Sequence, residues 1–182
     1  MNDATPDRER DTRHDNQHGT FDEWPAALRA LFDGTSIETK KGFTASLLAV
    51  DEGRIRTSLL SVGELFAPDT RTLCFSLWPQ SRTAKAISKT GRATLTFVFD
   101  EAFFQVQLRA RSPESAGSPR SVPHGNPMLA YFIATIETGE WQRVSYARLT
   151  SGIGFELEGG DAVLVRWQAQ VETLKRVAGG AA

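Results

Sequence analysis

The sequence predicts a mainly β domain of the α+β class, in which antiparallel strands form a small closed or nearly closed barrel with a few short flanking helices. Many short strand-like runs and hairpin-type turns between them support this fold class. The chain also lacks the regular strand–helix alternation that a doubly wound parallel sheet requires. Closing the sheet into a barrel removes exposed strand edges, which explains why small β domains favour this architecture.

The composition sets the protein class. The 182 residues are 40% hydrophobic, which suffices for one domain with a real core. The formal net charge of -1 gives no support for nucleic-acid binding, which needs a basic face. Cys74 is the single cysteine, which excludes an intrachain disulfide. No apolar run approaches a membrane span, and the polar N-terminus lacks a signal-peptide core, so we expect a cytoplasmic protein without membrane or nucleic-acid partners.

Residues 1–20 are predicted to form a disordered tail, because they contain almost nothing to bury. Residues 21–182 are expected to form a single domain. Its first element is a short amphipathic helix, since four apolar side chains recur at helical spacing: Trp24, Leu28, Leu31 and Phe32.

The pattern then changes to that of strands. Residues 43–50 and 54–60 form two strand-like runs, joined by the hairpin-type turn DEGR. The third strand, TLCFSLW, leads into a short helix, SRTAKAISKTG, which ends at Gly91. A tight loop at 100–102 joins the fourth and fifth strands, RATLTFVFD and FFQVQLRARS. Alternation of apolar and polar residues in the fifth strand indicates one buried and one polar face.

The later part of the chain is harder to interpret. A segment rich in Pro, Ser and Gly, SPESAGSPRSVPHGNP, is typical of a loop. The stretch PMLAYFIATIETG predicts a second helix with Pro127 at its start. RVSYARLT and the residues from 152 onward return to a strand pattern. The run 163–171 is also compatible with a helix, which leaves the fold of residues 160–182 open.

Chemistry-bearing residues are gathered in three strand segments, RIRTS, SLWPQSRTAK and FFQVQ, whereas the sequence holds no triad signature, GxGxxG or P-loop. In the second segment a strand passes into a helix. A helix N-terminus suits a phosphate because it presents N–H groups and a positive dipole end, and hydroxyls and an arginine strengthen such a site. The alternative is that Ser81 simply caps the helix and that Arg82 and Lys85 are solvated. His124, in the Pro/Gly loop, has no nameable chemical partner.

Taken in order, these segments resemble the FMN-binding split-barrel family, whose best-known member is pyridoxamine 5'-phosphate oxidase. The resemblance runs from about residue 43 to residue 111, with a weaker echo in YARLTSGIGFEL. It implies a six-stranded antiparallel split barrel of Greek-key type. It also implies a homodimer that holds FMN where its two subunits meet.

The resemblance also implies site residues. Arg56 matches an arginine that reaches the flavin phosphate, Ser81 and Arg82 match the phosphate-end pair, and Gln105 matches a glutamine near the ring system. The backbone at Ser76 would lie along the isoalloxazine. The full set of expected cofactor-binding residues is Arg56, Thr57, Ser58, Ser76, Leu77, Ser81, Arg82, Lys85 and Gln105. No catalytic residue and no metal site is predicted.

Two departures from the oxidase bear on the substrate. Thr83 stands where a lysine follows the Ser–Arg pair, and Ser61 stands where a lysine serves both cofactor and substrate. We therefore expect an FMN-dependent oxidoreductase that acts on an unidentified small molecule other than pyridoxine phosphate. The alternatives are a flavin- or haem-binding split barrel without turnover, with a histidine such as His124 as haem ligand, and a deazaflavin-dependent reductase.

Overall fold

The computed structural model describes residues 17–113 and 129–179. In this part of the chain, one antiparallel sheet curls into a half-barrel against which three α-helices pack. The strands are β1 (Gln17–Phe21), β2 (Thr44–Asp51), β3 (Arg54–Ser61), β4 (Leu65–Phe66), β5 (Thr72–Leu77), β6 (Arg92–Phe99), β7 (Ala102–Arg111) and β8 (Ala130–Arg143). The helices are α1 (Ala26–Leu31), α2 (Arg82–Thr90) and α3 (Gly160–Gly179). The fold class is confirmed, with eight strands in the described residues rather than six.

The sheet has the strand order β3-β2-β6-β7-β8-β5-β4, and β1 pairs with the remaining edge of β8. Tight turns connect β2 to β3 and β6 to β7. The first uses Glu52 and Gly53, with φ of 50° and 74°, and the second uses Asp100 and Glu101, with φ of 46° and 61°. Two positive φ values are typical of a type I′ turn, whose twist matches that of paired strands. Both predicted hairpins are confirmed.

The inner face of the sheet carries the hydrophobic core. The register places Leu47 opposite Leu95, Leu95 opposite Val106, and Phe97 opposite Phe104, so these side chains share one face. All of them are buried. The rings of Phe97 and Phe104 stack with centroids 5.1 Å apart. Each side chain of this kind contributes about 1.5–3 kcal/mol when it leaves water, so this face supplies much of the stability.

Two of the predicted helices are confirmed. Leu28 and Leu31 of α1 are buried in the core, as are Trp24 just before the helix and Phe32 just after it. In α2, Ser81 is the N-cap, and Gly91 ends the helix in the left-handed conformation with φ of 66°. Glycine adopts this conformation without the steric cost that a Cβ imposes.

The helix predicted over PMLAYFIATIETG is wrong, because residues 130–139 of this stretch belong to strand β8; Pro127, its expected start, lies outside the described residues. Residues 132–134 are buried on both faces of the sheet: Phe132 and Ala134 face the core, while Ile133 packs against Cys74 and Leu174 of a second cluster beneath α3. A strand covered on both sides shows a continuous apolar run instead of an alternation, and such a run cannot be told from a buried helix by its period.

The end of the chain, which the sequence left open between strand and helix, is helical, because residues 160–179 form helix α3. Its buried residues, Trp167, Val171 and Leu174, recur at helical spacing. Alternate valines at 163 and 165 had suggested a strand, yet Val165 is 65% exposed.

Across the described ranges, no helix is long and apolar enough to cross a membrane.

Two further stretches differ from expectation. Residues 17–20, which the sequence assigned to a disordered tail, belong to strand β1, and residues 1–16 lie outside the described part. This strand is mostly exposed, and backbone hydrogen bonds to β8 hold it in the sheet. Amino-acid composition does not reveal such backbone pairing. RVSYARLT is not a strand, because residues 144–150 after the end of β8 contain only turns and irregular chain.

Helix α3 docks on a 3₁₀ turn, Val62–Glu64, that follows β3. The indole of Trp167 covers Gly63 so closely that a Cβ there would lie 2.1 Å from Trp167 Cγ. Beside this contact, the Glu64 carboxylate accepts hydrogen bonds from the backbone N–H of Ser61, at 2.7 Å, and from the Ser61 hydroxyl. The bond from the Ser61 N–H, together with a bond from the Glu64 N–H to the Ser61 side chain, forms a capping box, for which the sequence SVGE is a signature.

Burial raises the pKa of Glu64 above its ordinary value, against the opposing effects of the Ser61 hydrogen bonds and the nearby Arg166. The folded state therefore binds a proton at Glu64 more readily than the unfolded chain does. The associated stabilisation is fully present below the unfolded pKa of 4.5 and is lost as pH rises through the higher folded value. The contribution of Glu64 to the free energy of unfolding therefore falls as pH rises above 4.5.

Replacing Gly63 by alanine should destabilise the fold by about 1–3 kcal/mol, because the added methyl group overpacks against Trp167. Gly42→Ala is the matched control, since a Cβ at Gly42 meets nothing within 4 Å. Urea unfolding at constant pH measures both variants. Equal midpoints for the two variants would contradict the tight docking of α3.

Replacing Glu64 by glutamine should raise the free energy of unfolding at pH 7, because the glutamine oxygen still accepts from Ser61 without a buried charge. The advantage over the wild type should shrink as pH falls toward 4.5, the unfolded pKa of the carboxyl. Urea unfolding across this range measures it. A variant less stable than the wild type at every pH would show that the carboxylate charge itself stabilises the turn.

Candidate functional site

The first group of expected site residues lies on β3. Arg56 pairs with Ala49, and Ser58 pairs with Leu47. Because Ala49 and Leu47 face the core, Arg56 and Ser58 also project toward the inner side of the sheet, whereas Thr57 projects to the outer side. The strand thus brings Arg56 and Ser58 to one surface and separates them from Thr57.

Arg56 holds a charge in a largely enclosed position. Its side chain is 20% exposed, and its Nη2 lies 3.7 Å from Asp51 Oδ2. Its Nε is buried without a hydrogen-bond partner among the described residues. A guanidinium offers five N–H donors, so this one keeps much of its capacity to bind an anion.

The second group lies at the start of α2. The Ser81 hydroxyl accepts from the backbone N–H of Ala84 at 3.1 Å, so the N-cap interpretation is correct for this side chain. Arg82 and Lys85 are exposed. Because the Ser81 hydroxyl already accepts a hydrogen bond within the helix, Arg82 and Lys85 are the side chains at the helix start that are able to approach a ligand.

Helix α2 spans the inner side of the barrel between two distant strands. Its C-terminal end is fixed to β7, where Ala110 N donates to Gly91 O at 2.9 Å, and it also contacts β2 and β3. Nine helical residues extend about 13 Å, and three strand spacings from β7 to β3 amount to about 14 Å. The helix is therefore long enough to reach from β7 to the strand that carries Arg56, with which it is in contact.

Gln105 lies on the opposite face of the sheet from Arg56. It pairs with Thr96 on β6 and with Glu140 on β8, which both project outward. Its half-buried side chain lines an outer cavity of about 160 Å³ together with Phe103 and Glu140. One protomer therefore presents Arg56 and Gln105 to different surfaces.

Ser76 and Leu77, consecutive residues of β5, project to opposite faces. Leu77 is part of the core, whereas Ser76 pairs with Tyr131 on the outer side, where α3 covers the strand. The Ser76 hydroxyl is buried without a hydrogen-bond partner among the described residues. The expected contact of Ser76 with a cofactor is through its backbone, which this side-chain placement leaves untested.

An exposed apolar surface lies on the same outer face of the sheet as Gln105, on strands β2 and β3. Val50 and Ile55 are opposite each other on β2 and β3 and are 56% and 67% exposed, and Leu59 on β3 is 56% exposed. We call these three residues the outer apolar patch. Apolar side chains in such a group are more often part of an interface than of a solvated surface. The alternation in RIRTSLL contains this signal, but sequence analysis did not identify it.

Other chemistry-bearing residues are less suited to a reactive role. Cys74 is buried beneath α3, and burial raises the pKa of its thiol to about 12, which disfavours the nucleophilic thiolate. His124 lies outside the described residues. Of the residues described, no three His, Cys, Asp or Glu side chains group closely enough to hold a metal ion. Trp141 packs over Gly19, whereas Trp78, before α2, is 58% exposed.

The sequence was compared with known proteins. No protein-family model matches it. It is 28% identical over 152 residues to YclD, an uncharacterized protein of Bacillus subtilis (strain 168), in an alignment covering 82% of this chain and 94% of YclD.

Three solved structures illustrate the likeness of the fold. A candidate pyridoxamine 5'-phosphate oxidase from Lactobacillus delbrueckii matches with a TM-score of 0.48 at 12% identity, over 65% of this chain and 94% of its own. An FMN-binding protein of Syntrophomonas wolfei has a TM-score of 0.43 at 14% identity, over 61% and 85% of the two chains. A FAD-binding protein of Mesorhizobium loti has a TM-score of 0.41 at 10% identity, over 69% and 97%. These neighbours come from the flavin-binding split-barrel group that the sequence resembles.

Proposed function

We propose that this protein binds FMN and works as an FMN-dependent oxidoreductase, as a homodimer with the flavin between its subunits. The observation that carries the proposal is the enclosed Arg56, whose guanidinium keeps unused donors on the side of the sheet that α2 reaches. A phosphate is the ligand that suits a half-buried guanidinium near a helix start. FMN- and FAD-binding neighbours support a flavin, and the sequence resemblance favours FMN.

The residues present fit a flavin in which the phosphate and the ring meet different parts of the protein. Arg56 and Arg82 would hold the phosphate, and Ser58 would add a hydroxyl from the same face as Arg56. When bound, the flavin would supply the redox chemistry by taking electrons from a substrate and passing them to an acceptor. The chain would bind and orient it and keep water away, which agrees with the scarcity of reactive side chains at this surface.

A second copy of the chain completes the site in this proposal. Arg56 and Gln105 lie on opposite faces of one sheet, so they reach the same flavin most readily when Gln105 comes from the partner subunit. The outer apolar patch lies on the same face as Gln105 and has nothing covering it among the described residues. Strand β3, which carries two of its residues, also ends the strand order of the sheet. Burying this patch against a second subunit would remove Ile55, Leu59 and Val50 from water.

The substrate is proposed to be a small molecule other than pyridoxine phosphate. At the position of the oxidase's substrate-binding lysine, the hydroxyl of Ser61 is bonded to the buried carboxyl of Glu64. This position therefore offers a phosphate no cation.

Purified protein should be yellow or become so with FMN, and Arg82→Ala should weaken FMN binding by about 1.5–3 kcal/mol through the loss of a charge-assisted hydrogen bond. Arg56→Gln should have an effect at least as large, because its replacement removes the enclosed charge. Quenching of flavin fluorescence measures the dissociation constant, and mass spectrometry of released cofactor distinguishes FMN, FAD and deazaflavin.

Arg54→Gln is the matched control, since Arg54 is exposed two residues away on the same strand as Arg56. It should leave the affinity for FMN within about twofold, as exposed charges contribute little. A wild-type protein that takes up no flavin at high micromolar FMN would refute the proposed cofactor. Equal effects of all three arginine substitutions would remove Arg56 and Arg82 from the site.

The oligomeric state is tested by Ile55→Lys, which should shift a wild-type dimer toward monomer and weaken FMN binding at the same time. A lysine in the centre of an apolar interface leaves a buried unpaired charge. Val165→Lys is the matched control, because Val165 is 65% exposed on α3, away from the patch. Sedimentation velocity at several concentrations measures the shift. A wild-type protein that stays monomeric with FMN present would refute the shared site.

A further inference from the structure

A cavity of about 440 Å³ lies where β8 ends, beside the start of β1 and the turn between β6 and β7. Small-molecule sites typically have volumes of about 300–1,000 Å³, so this one is large enough to hold an organic ligand. Its lining differs from the set expected to bind the flavin. The polar residues of its wall are Gln17, Glu101, Arg143, Ser145, Tyr146 and Arg148.

Two arginines are positioned at this cavity by the β6–β7 turn. Arg143, the last residue of β8, donates through Nη2 to the backbone oxygen of Asp100, and the same nitrogen lies 3.5 Å from Asp100 Oδ2. Arg148 Nη1 lies 3.5 Å from Glu101 Oε1. Because Asp100 and Glu101 form a tight turn with positive φ, the backbone fixes where the two carboxylates hold the guanidiniums.

These ion pairs leave hydrogen-bond donors at the cavity. Each guanidinium has five N–H donors, while the contacts to the turn involve one nitrogen of Arg143 and one of Arg148. Both ion-pair distances exceed the roughly 2.7–2.9 Å of a strong charge-assisted hydrogen bond. The hydroxyls of Ser145 and Tyr146 add further donors, and Glu101 is the one carboxylate in the described lining. Cationic side chains therefore outnumber carboxylates on the described wall.

The wall also offers a surface for an apolar body. Tyr146 is 72% exposed, so its ring is accessible from the cavity it lines. Val144 and Ala147, which flank Ser145 and Tyr146 in the sequence, add small apolar side chains to the lining. Aromatic rings bind planar groups by stacking, which adds to the gain from burying them.

We propose that this cavity binds a small organic anion, whose carboxylate or phosphate group is held by Arg143 and Arg148 and whose planar body packs on Tyr146. The proposal does not depend on flavin binding, because the residues that carry it lie at the far end of the β6–β7 hairpin from Arg92 and from the end of α2. The turn carboxylates compete for the same guanidiniums, so an affinity in the millimolar or high micromolar range is expected for a simple probe.

Ligand-observed NMR on the full chain tests the site with benzoate, phenyl phosphate and their neutral analogue benzamide. At least one of the two anions should bind about tenfold more tightly than benzamide, because the neutral analogue lacks the charge-assisted bonds. The ratio between benzoate and phenyl phosphate then shows which anionic group the arginines prefer. Benzamide binding as tightly as both anions would overturn the proposal.

Arg148→Gln should weaken binding of the preferred anion by about fivefold or more while leaving benzamide unchanged. Arg148 is 71% exposed, so its replacement should not disturb folding, and Arg148→Lys should retain part of the affinity by keeping the charge. Arg92→Gln is the control, since Arg92 is exposed at the opposite end of the same hairpin. Equal loss in Arg148→Gln and Arg92→Gln would show general electrostatic attraction and refute a built site.

Discussion

The backbone ladder of the long strand β8 is the constraint on which the rest of the structure depends. One edge of β8 pairs with β7, and the other edge pairs with β5 along its first half and with β1 along its second. A bulge at Gln107 and Leu108 changes the register against β7 and lets the strand bend. The two halves of the sheet therefore meet only through β8, which closes the core that both halves share.

This junction brings together the segments that carry the proposed flavin site. The β3-β2-β6-β7 half carries Arg56 and Gln105, while the β5 half leads into α2 through Ser81. Helix α2 crosses the inner side and returns to β7 at Gly91, which links the two halves a second time. The curl of the sheet thus positions the basic residues at the start of α2. They are far from Arg56 in sequence, yet the helix and the strand that carry these residues are in contact.

The alternation of side chains along each strand separates two kinds of surface. The inner face holds the core with Arg56 at its margin, whereas the outer face of β2, β3, β6 and β7 is partly apolar and uncovered among the described residues. Where α3 covers the outer face of β5 and β8, the same alternation gives a second cluster around Cys74. Helix α3 thus covers one part of the outer face, and among the described residues the outer apolar patch lies on the part left open.

The sequence determined the local elements whose signals are short range. The sequence predicted five strands and two helices in the region 21–111. The signals were period-two alternation, hairpin-type turn residues, and Ser81 and Gly91 at the ends of a helix, all of which depend on neighbours a few residues away. The resemblance also selected Arg56 and Gln105.

The tertiary structure decided what depends on distant neighbours. It placed residues 130–139 in a strand whose positions 132–134 are buried on both faces, turned 160–179 into a helix under which Cys74 is covered, and recruited the polar residues 17–20 into the sheet. It also decided that Arg56 and Gln105 project to opposite faces of the sheet. The face of a strand residue depends on the strand register and on what packs against the sheet, and the local sequence pattern specifies neither.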